Sequence, residues 1–331
     1  MIPFLIIILS LFLLFVFYYL YRVWTMSLMP RYSNKFSCEF VQDKHSMTNP
    51  LYYWNDLSKC IFRPGIFTYD KDGVFIFDTK GIIYYHPAAI PQAILSFIFE
   101  QTANPKIDRT KEIRAQLKWI LNNYDTIEGN GIVWFYKFDY GTAKAPWSSG
   151  ISQGLIISAL VRASILFKDN QYLDLAKLAF VQMNNPLEKG GHRFSDKQYP
   201  LFYEEGHDNH HILNGHLFSL LGVYDLYTST NDEMYKTAFD IGVETIKLNI
   251  HEFNIGFFSK YAGVGMETCN NSYHQVHIQL FKAFYIITKD VFFKEQADDM
   301  LYQYNSTWCK IQHLCYLIKI NIIYKLKGRK N

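Results

Sequence analysis

Apolar and polar positions divide the chain into three textures. The first is continuous: "MIPFLIIILSLFLLFVFYYLY" runs from Met1 to Tyr21 without a charge. About 20 apolar residues cross a bilayer as a helix. No basic leader precedes this run and no small-residue cleavage motif follows it, so residues 1–24 are expected to form an uncleaved transmembrane anchor, with a long signal peptide as the alternative. Tyr18, Tyr19, Tyr21 and Trp24 suit an interfacial aromatic belt. Residues 25–60 are mixed and polar, the composition of a stem. The second texture is the alternation in "GIFTYDKDGVFIFDTKGIIYYHP". Asp72-Gly73 and Lys80-Gly81 are turn signals, which predicts two or three strands between Ile66 and Tyr85, within a β-rich segment over 61–86. The Asp70/Asp72 pair reads as a solvated turn, with cation contact as the alternative.

The third texture is helical. Apolar residues recur at three- and four-residue spacing over 88–102, 109–123, 150–167, 171–183, 211–228, 233–249, 273–288 and 291–302. They come in pairs. The first of a pair is apolar nearly all round, as in "GLIISALVRASILF"; the second is amphipathic, as in "QYLDLAKLAFVQM". A buried helix followed by an outer helix is what a ring of helical hairpins requires. The expected fold is therefore mainly α: an α/α toroid of about four hairpins over 87–302, preceded by the β-rich segment and the anchor. Loops 141–152, 199–212 and 256–275 would line its funnel. A tail over 303–331 is basic and poorly patterned.

Charge excludes one class of partner. The net charge is +3, and the tail holds six Lys/Arg and no acid, which leaves +3 − 6 = −3 on the rest. With no basic stripe in the body, nucleic acid is not an expected partner. Five cysteines without a CxxC pair argue against a complete disulfide framework and against a zinc site.

The chemistry gathers in the funnel loops. "LFYEEGHDNHHILNG", 201–215, holds Glu204, Glu205 and Asp208 with His207, His210 and His211. The histidine spacing admits a metal site on a helical face. The segment reads instead as a polar loop, with Asp208 or Asn209 capping the helix that begins at Ile212. "YHQVHIQLF" puts Tyr273, His274 and His277 at the mouth of another inner helix, as substrate-side groups or as buried helix-entry histidines. Trp147 and Gln153 read either as a sugar platform with its hydrogen-bonding partner or as packing residues.

At these loops the chain resembles the D-glucuronyl C5-epimerases of heparan sulfate and heparosan. Four stretches carry the resemblance in order: "YHPAAIPQ" from Tyr85, "WSSGISQGLIISALVRA" from Trp147, "YEEGHDNHHILNGHLFSLLGVYDL" from Tyr203 and "SYHQVHIQL" from Ser272. The resemblance implies a β-rich part followed by an α/α barrel of four hairpins. It implies conversion of D-glucuronate to L-iduronate within a polysaccharide by removal of the C5 proton and its return on the opposite face. Such a reaction needs two proton carriers and donors that stabilise an enolate-like carboxylate. Matched by motif, the carriers are Glu205 and Tyr273, with Tyr203 and Glu204 completing the catalytic set as orienting groups. Trp147, Gln153, Asn214, Tyr261, His274 and His277 fall on the substrate side, the two histidines as orienting groups. No cofactor or metal is required, and a structural calcium ion and homodimer formation stay open.

Two family hydroxyls are absent: the tyrosine after the paired glutamates is Gly206, and another falls nearest Phe258, with Tyr261 the available replacement. The tyrosine after the tryptophan is Ser148. A uronate lyase and a glycan-binding protein without catalysis are the alternative readings. The resemblance implies an acidic polysaccharide partner and a single-pass membrane protein with a lumenal or extracytoplasmic body, in the Golgi if the cell is eukaryotic. Arg22, Arg31 and Lys35 after the span favour the opposite orientation. The sequons at Asn270 and Asn305 are compatible with a lumenal body.

Overall fold

The structure is a computed structural model that describes residues 2–23, 39–40, 49–57, 67–79, 82–127, 131–206 and 208–326. The Lys80-Gly81 turn, His207, Cys38, Cys60, most of the expected stem and the tail end at 327–331 lie outside the described residues.

Helix α1 spans Ile2–Val23, and most of its described apolar side chains, Leu9 and Phe15 among them, are exposed. A short antiparallel pair, β1 (Glu39–Phe40) and β2 (Asn55–Asp56), follows. Strands β3 (Phe67–Tyr69), β4 (Phe75–Thr79) and β5 (Ile82–Tyr84) form an antiparallel meander. Its first turn is closed by Asp70, whose carboxylate accepts from the Asp72 and Val74 amides and from the Tyr85 hydroxyl. Asp70 is thus occupied by the turn itself. Gly73 sits there with φ +80°, a conformation that favours glycine.

Eight helices then alternate as four hairpins: α2 (Ala89–Ala103) with α3 (Thr110–Asn122), α4 (Gly150–Phe167) with α5 (Asn170–Met183), α6 (Leu213–Thr230) with α7 (Glu233–Phe253), and α8 (Asn271–Thr288) with α9 (Val291–Asn305). The first member of each hairpin packs against the next first member, α2 on α4, α4 on α6 and α6 on α8. These are the apolar helices of the sequence pattern. Helix α4 is long and apolar enough to cross a membrane, yet it is mostly buried within the protein as a core helix. Two small pairs, β6 (Asp125–Ile127) with β7 (Gly131–Val133) and β8 (Arg193–Phe194) with β9 (Phe202–Tyr203), fill the connections.

Three of the hairpins turn by the same device. Lys168, Asn231 and Lys289 end the inner helices in the left-handed region, at φ 54°, 55° and 59°. The next residue is always aspartate, and its carboxylate caps the outer helix: Asp169 to the Gln171 amide, Asp232 to Met234, Asp290 to Phe292. The close approach of α4 and α6 depends on missing side chains. A Cβ on Gly154 would lie 2.5 Å from the Ser219 Cα, and one on Gly222 would lie 2.4 Å from the Gly154 carbonyl oxygen.

Two expectations need correction. Residues 49–57 are part of the packed body and not a free stem. Tyr53, Asn55 and Leu57 are buried, and the Tyr52 carbonyl accepts from the Arg162 guanidinium on α4. The tail is not unpatterned either: α10 (Thr307–Leu326) buries Cys309, His313, Leu317 and Ile320. The His313 ring stacks on Phe258 at 4.0 Å, and Phe258 stacks in turn on His274 at 4.1 Å. The tail helix thereby backs the loop between α7 and α8.

Candidate active site

Three loops meet at Glu204 and Glu205. The Gly150 amide at the start of α4 donates to the Glu204 carbonyl, and the Glu204 amide donates to the His192 carbonyl. The loop after β9 is zipped to the loop before α8: Leu213 N–H donates to Tyr261 O, Gly263 N–H to His211 O and Val264 N–H to His210 O. These are the funnel loops of the sequence analysis, and their backbones hold one another.

The two adjacent glutamates face different surroundings. Glu204 is buried, and its carboxylate is taken up by His211: Oε2 accepts from the His211 amide at 3.0 Å and Oε1 pairs with the His211 ring. His211 sits at φ 54° with its ring stacked on Tyr199. Glu204 is therefore a clamp that closes the loop from 204 to 211. His210 pairs with Asp208 at 3.3 Å on the half-exposed rim. Among the described residues, no three His, Cys, Asp or Glu side chains are gathered to hold a metal ion. Neither Asp208 nor Asn209 caps α6, whose N-cap position is Ile212 without a side-chain cap.

Glu205 remains available. It is partly accessible, with its carboxyl deep enough that burial raises its pKa to about 7. The Tyr261 hydroxyl donates to its Oε2 at 3.3 Å, which opposes the rise, while the charges of Asp208 and Glu204 add to it. Gly215 leaves it room, since a Cβ there would lie 3.2 Å from Oε2. Tyr261 also meets Tyr273 edge to face, with ring centroids 4.8 Å apart. Burial and the Glu205 charge hold the Tyr261 hydroxyl firmly protonated. Tyr273, capped through its amide by Asn270, stays partly exposed at the mouth of α8. Glu205 and Tyr273 are thus brought together through Tyr261.

Other expected site residues turn inward. The Tyr203 hydroxyl donates to Asn184 within the core, and its amide donates to His216, so Tyr203 fixes the strand and does not reach a substrate. Gln153 is fully buried and donates to the carbonyls of Ile132 and Ala179, a packing role in place of sugar binding. His274 and His277 are corrected in the same way. Both are buried, and their Nδ1 atoms converge on Ser259 Oγ at 2.8 and 2.9 Å. His274 Nε2–H donates to the Met300 carbonyl, so its Nδ1 accepts the Ser259 hydroxyl proton and His277 Nδ1–H donates to Ser259 Oγ. This network seats the loop under Tyr261 against the helix that carries Tyr273. Asn214, expected on the substrate side, is buried with its Oδ1 unpartnered.

Trp147 stacks face to face on Tyr136, centroids 3.9 Å apart, and its indole N–H donates to the Phe138 carbonyl. One face of the indole is therefore covered, while the exposed Tyr140 ring lies 6.4 Å away. Tyr136 itself escaped the sequence reading. It is buried, and its hydroxyl is held protonated by burial and by the charge of Glu205. Its only signal in the sequence was the aromatic run "WFYKFDY". Ser148, which stands where the family has a tyrosine, bonds to His192 at 3.1 Å and cannot replace that hydroxyl in the site.

Residues 128–301, more than half of the chain, match the D-glucuronyl C5-epimerase C-terminus family. The chain belongs to this family. It is 27 % identical over 247 residues to the D-glucuronyl C5-epimerase of Caenorhabditis elegans, covering 65 % of this chain and 39 % of that protein. It is 29 % identical over 154 residues to an uncharacterized protein of Methanocaldococcus jannaschii, covering 44 % of this chain and 49 % of that one. The chain thus spans less than half the length of these curated relatives. Among solved structures, a GH76 α-mannanase of Bacteroides thetaiotaomicron overlaps 72 % of this chain and 63 % of its own, with a TM-score of 0.48 and 11 % identity. The C5-epimerase family match covers Glu205, Tyr261 and Tyr273 together. It supports an epimerase-type isomerase in broad terms.

Buried neutral histidines give this C5-epimerase relative a predictable pH response. Burial lowers His86 and His274 to about 4, and His216 and His277 to about 3, from 6.5. Unfolded histidines take up protons below 6.5, whereas these four do not until the folded values are reached. Their contribution is complete above pH 6.5 and is lost as pH falls toward 3–4. The melting temperature is expected to fall steadily below pH 6.5, as followed by calorimetry. A flat profile down to pH 4 would contradict their burial as neutral rings.

Proposed function

We propose that this protein epimerises D-glucuronate to L-iduronate residues in a heparosan-like acidic polysaccharide, with Glu205 and Tyr273 as the proton carriers. The observation that carries the reading is the Glu205–Tyr261–Tyr273 group: a carboxylate poised near neutrality, bonded to one phenol whose ring meets a second, more exposed phenol. Glu205 takes the C5 proton. The electron pair passes into the adjacent carboxyl group as an enolate-like dianion. Tyr273 then returns a proton to the opposite face. No cofactor enters the scheme.

The test is exchange at C5 of heparosan in heavy water, read by mass spectrometry. Exchange with iduronate formation supports the reading. A product with ultraviolet absorbance of an unsaturated uronate would replace it with a lyase, and binding without exchange would replace it with a glycan-binding protein. Because Glu205 must be ionised to accept the proton, kcat/KM is expected to rise with pH through about 7, the value to which burial raises that carboxyl. A rate that falls over the same interval would assign Glu205 the acid role.

We further propose that α1 anchors the protein in a membrane with the body on the lumenal or extracytoplasmic side. The run from Ile2 to Tyr21, uncharged and largely exposed, supports this. Deletion of residues 1–24 should move the protein from the membrane pellet to the supernatant. Full-length protein found in the supernatant with its N-terminus intact would sink the idea.

A further inference from the structure

The epimerase reading leaves a bookkeeping problem that the geometry answers. After one turnover the C5–H bond to Glu205's side has broken and a new C5–H bond has formed from Tyr273. Glu205 is then a carboxylic acid and Tyr273 a phenolate. The net charge is unchanged, but the proton stands on the wrong carrier for a second turnover in the same direction.

We propose that Tyr261 is a proton relay that returns this proton from Glu205 to Tyr273 and so resets the site. The proposal rests on the epimerase reading. Tyr261 touches both carriers: its hydroxyl is 3.3 Å from Glu205 Oε2, and its ring meets the Tyr273 ring edge-on with centroids 4.8 Å apart. In the reset, Glu205 O–H gives its proton to the Tyr261 oxygen as Tyr261 O–H gives its own to the Tyr273 phenolate. Two O–H bonds break and two form, and no charge accumulates on Tyr261. That suits a hydroxyl whose surroundings oppose ionisation. It is a conduit and not a base.

The position of Tyr261 is secured from behind. Its carbonyl accepts from the Leu213 amide. The preceding residues Phe258 and Ser259 are held by the His274–His277–Ser259 network and by the His313 ring of the tail helix. With a polysaccharide lying over Tyr273, solvent access to the phenolate is reduced, and an internal route lets the enzyme reset without releasing the chain.

Tyr261→Phe removes the hydroxyl and keeps the ring contact with Tyr273. The expected result is a burst of one product equivalent per site, followed by a steady state at least tenfold slower than wild type, with KM falling in step so that kcat/KM is unchanged. The primary isotope effect with C5-deuterated substrate should survive in the burst and vanish from the steady state, because reset then limits. A small exogenous acid such as imidazolium should restore part of the steady rate. Tyr273→Phe, which removes a carrier, should show no burst. A Tyr261→Phe enzyme at wild-type steady rate, or one slowed in the burst itself, would overturn the relay while leaving the epimerase reading intact. Wild-type protein without any C5 exchange would overturn both.

Discussion

Glu205→Gln is expected to reduce C5 exchange by roughly 10²–10⁴-fold, the usual contribution of a positioned general base. The amide keeps the size of the carboxyl and can still accept from the Tyr261 hydroxyl, so substrate binding should change little. The same substitution should raise thermal stability. The sign follows from the raised pKa: the folded protein holds this proton up to about pH 7, and the unfolded chain releases it near 4.5. Ionisation therefore costs folding free energy as pH rises through that window, and the cost is complete above it. A glutamine carries no such cost. Melting curves at pH 8 should place the variant above wild type, and the gap should close below pH 4.5. An enzyme that kept its exchange rate would remove Glu205 from the mechanism. Glu204 would not be the natural substitute, because its carboxylate is already committed to His211.

The largest loss of stability is expected from Asp225→Ala. Asp225 and Arg162 form a two-pronged ion pair between α6 and α4, at 2.6 and 3.1 Å, with both side chains almost wholly buried. Trp54 also donates to Asp225, and the Arg162 guanidinium lies 4.9 Å from the Tyr53 ring centroid. Removing the carboxylate strands a buried cation, which costs about 3–5 kcal/mol. Against a total stability of about 5–15 kcal/mol, that should lower the melting temperature on the order of 10 °C. A fall of less than about 2 °C would mean that water reaches the guanidinium. The double variant Arg162→Met/Asp225→Leu should recover most of the loss, since a buried pair is often replaced by apolar residues at little net cost.

The helical architecture was legible because its cause is local. Each inner helix is apolar around its whole circumference and each outer one along a stripe, so the eight elements and their pairing follow from spacing, with ends within a few residues of those observed. The aspartates that start three outer helices were visible as letters. The left-handed residue before each was legible only at Asn231, because lysine, at 168 and 289, is not a residue type that announces positive φ. The tail was misread for a related reason. It becomes a helix with a buried side only because Phe257, Phe258 and Met266 offer it a surface, and those residues lie some 50 positions upstream.

For the candidate site, the sequence by itself determined which residue types arrive at which loops: two adjacent glutamates before α6, and a tyrosine followed by two histidines at the start of α8. It also determined the arginine of "LVRA" and the aspartate of "YDL", though only as separate motifs. Tertiary structure decided what each does. It joined Arg162 to Asp225 across 63 positions, gave Glu204 to His211 and left Glu205 to Tyr261, and turned Gln153, Tyr203, His274 and His277 inward. The physical reason is that neighbouring residues in an extended segment point to opposite sides. Two glutamates one position apart are equal in sequence, and only the packed surroundings on each side separate a clamp from a carboxyl that stays available.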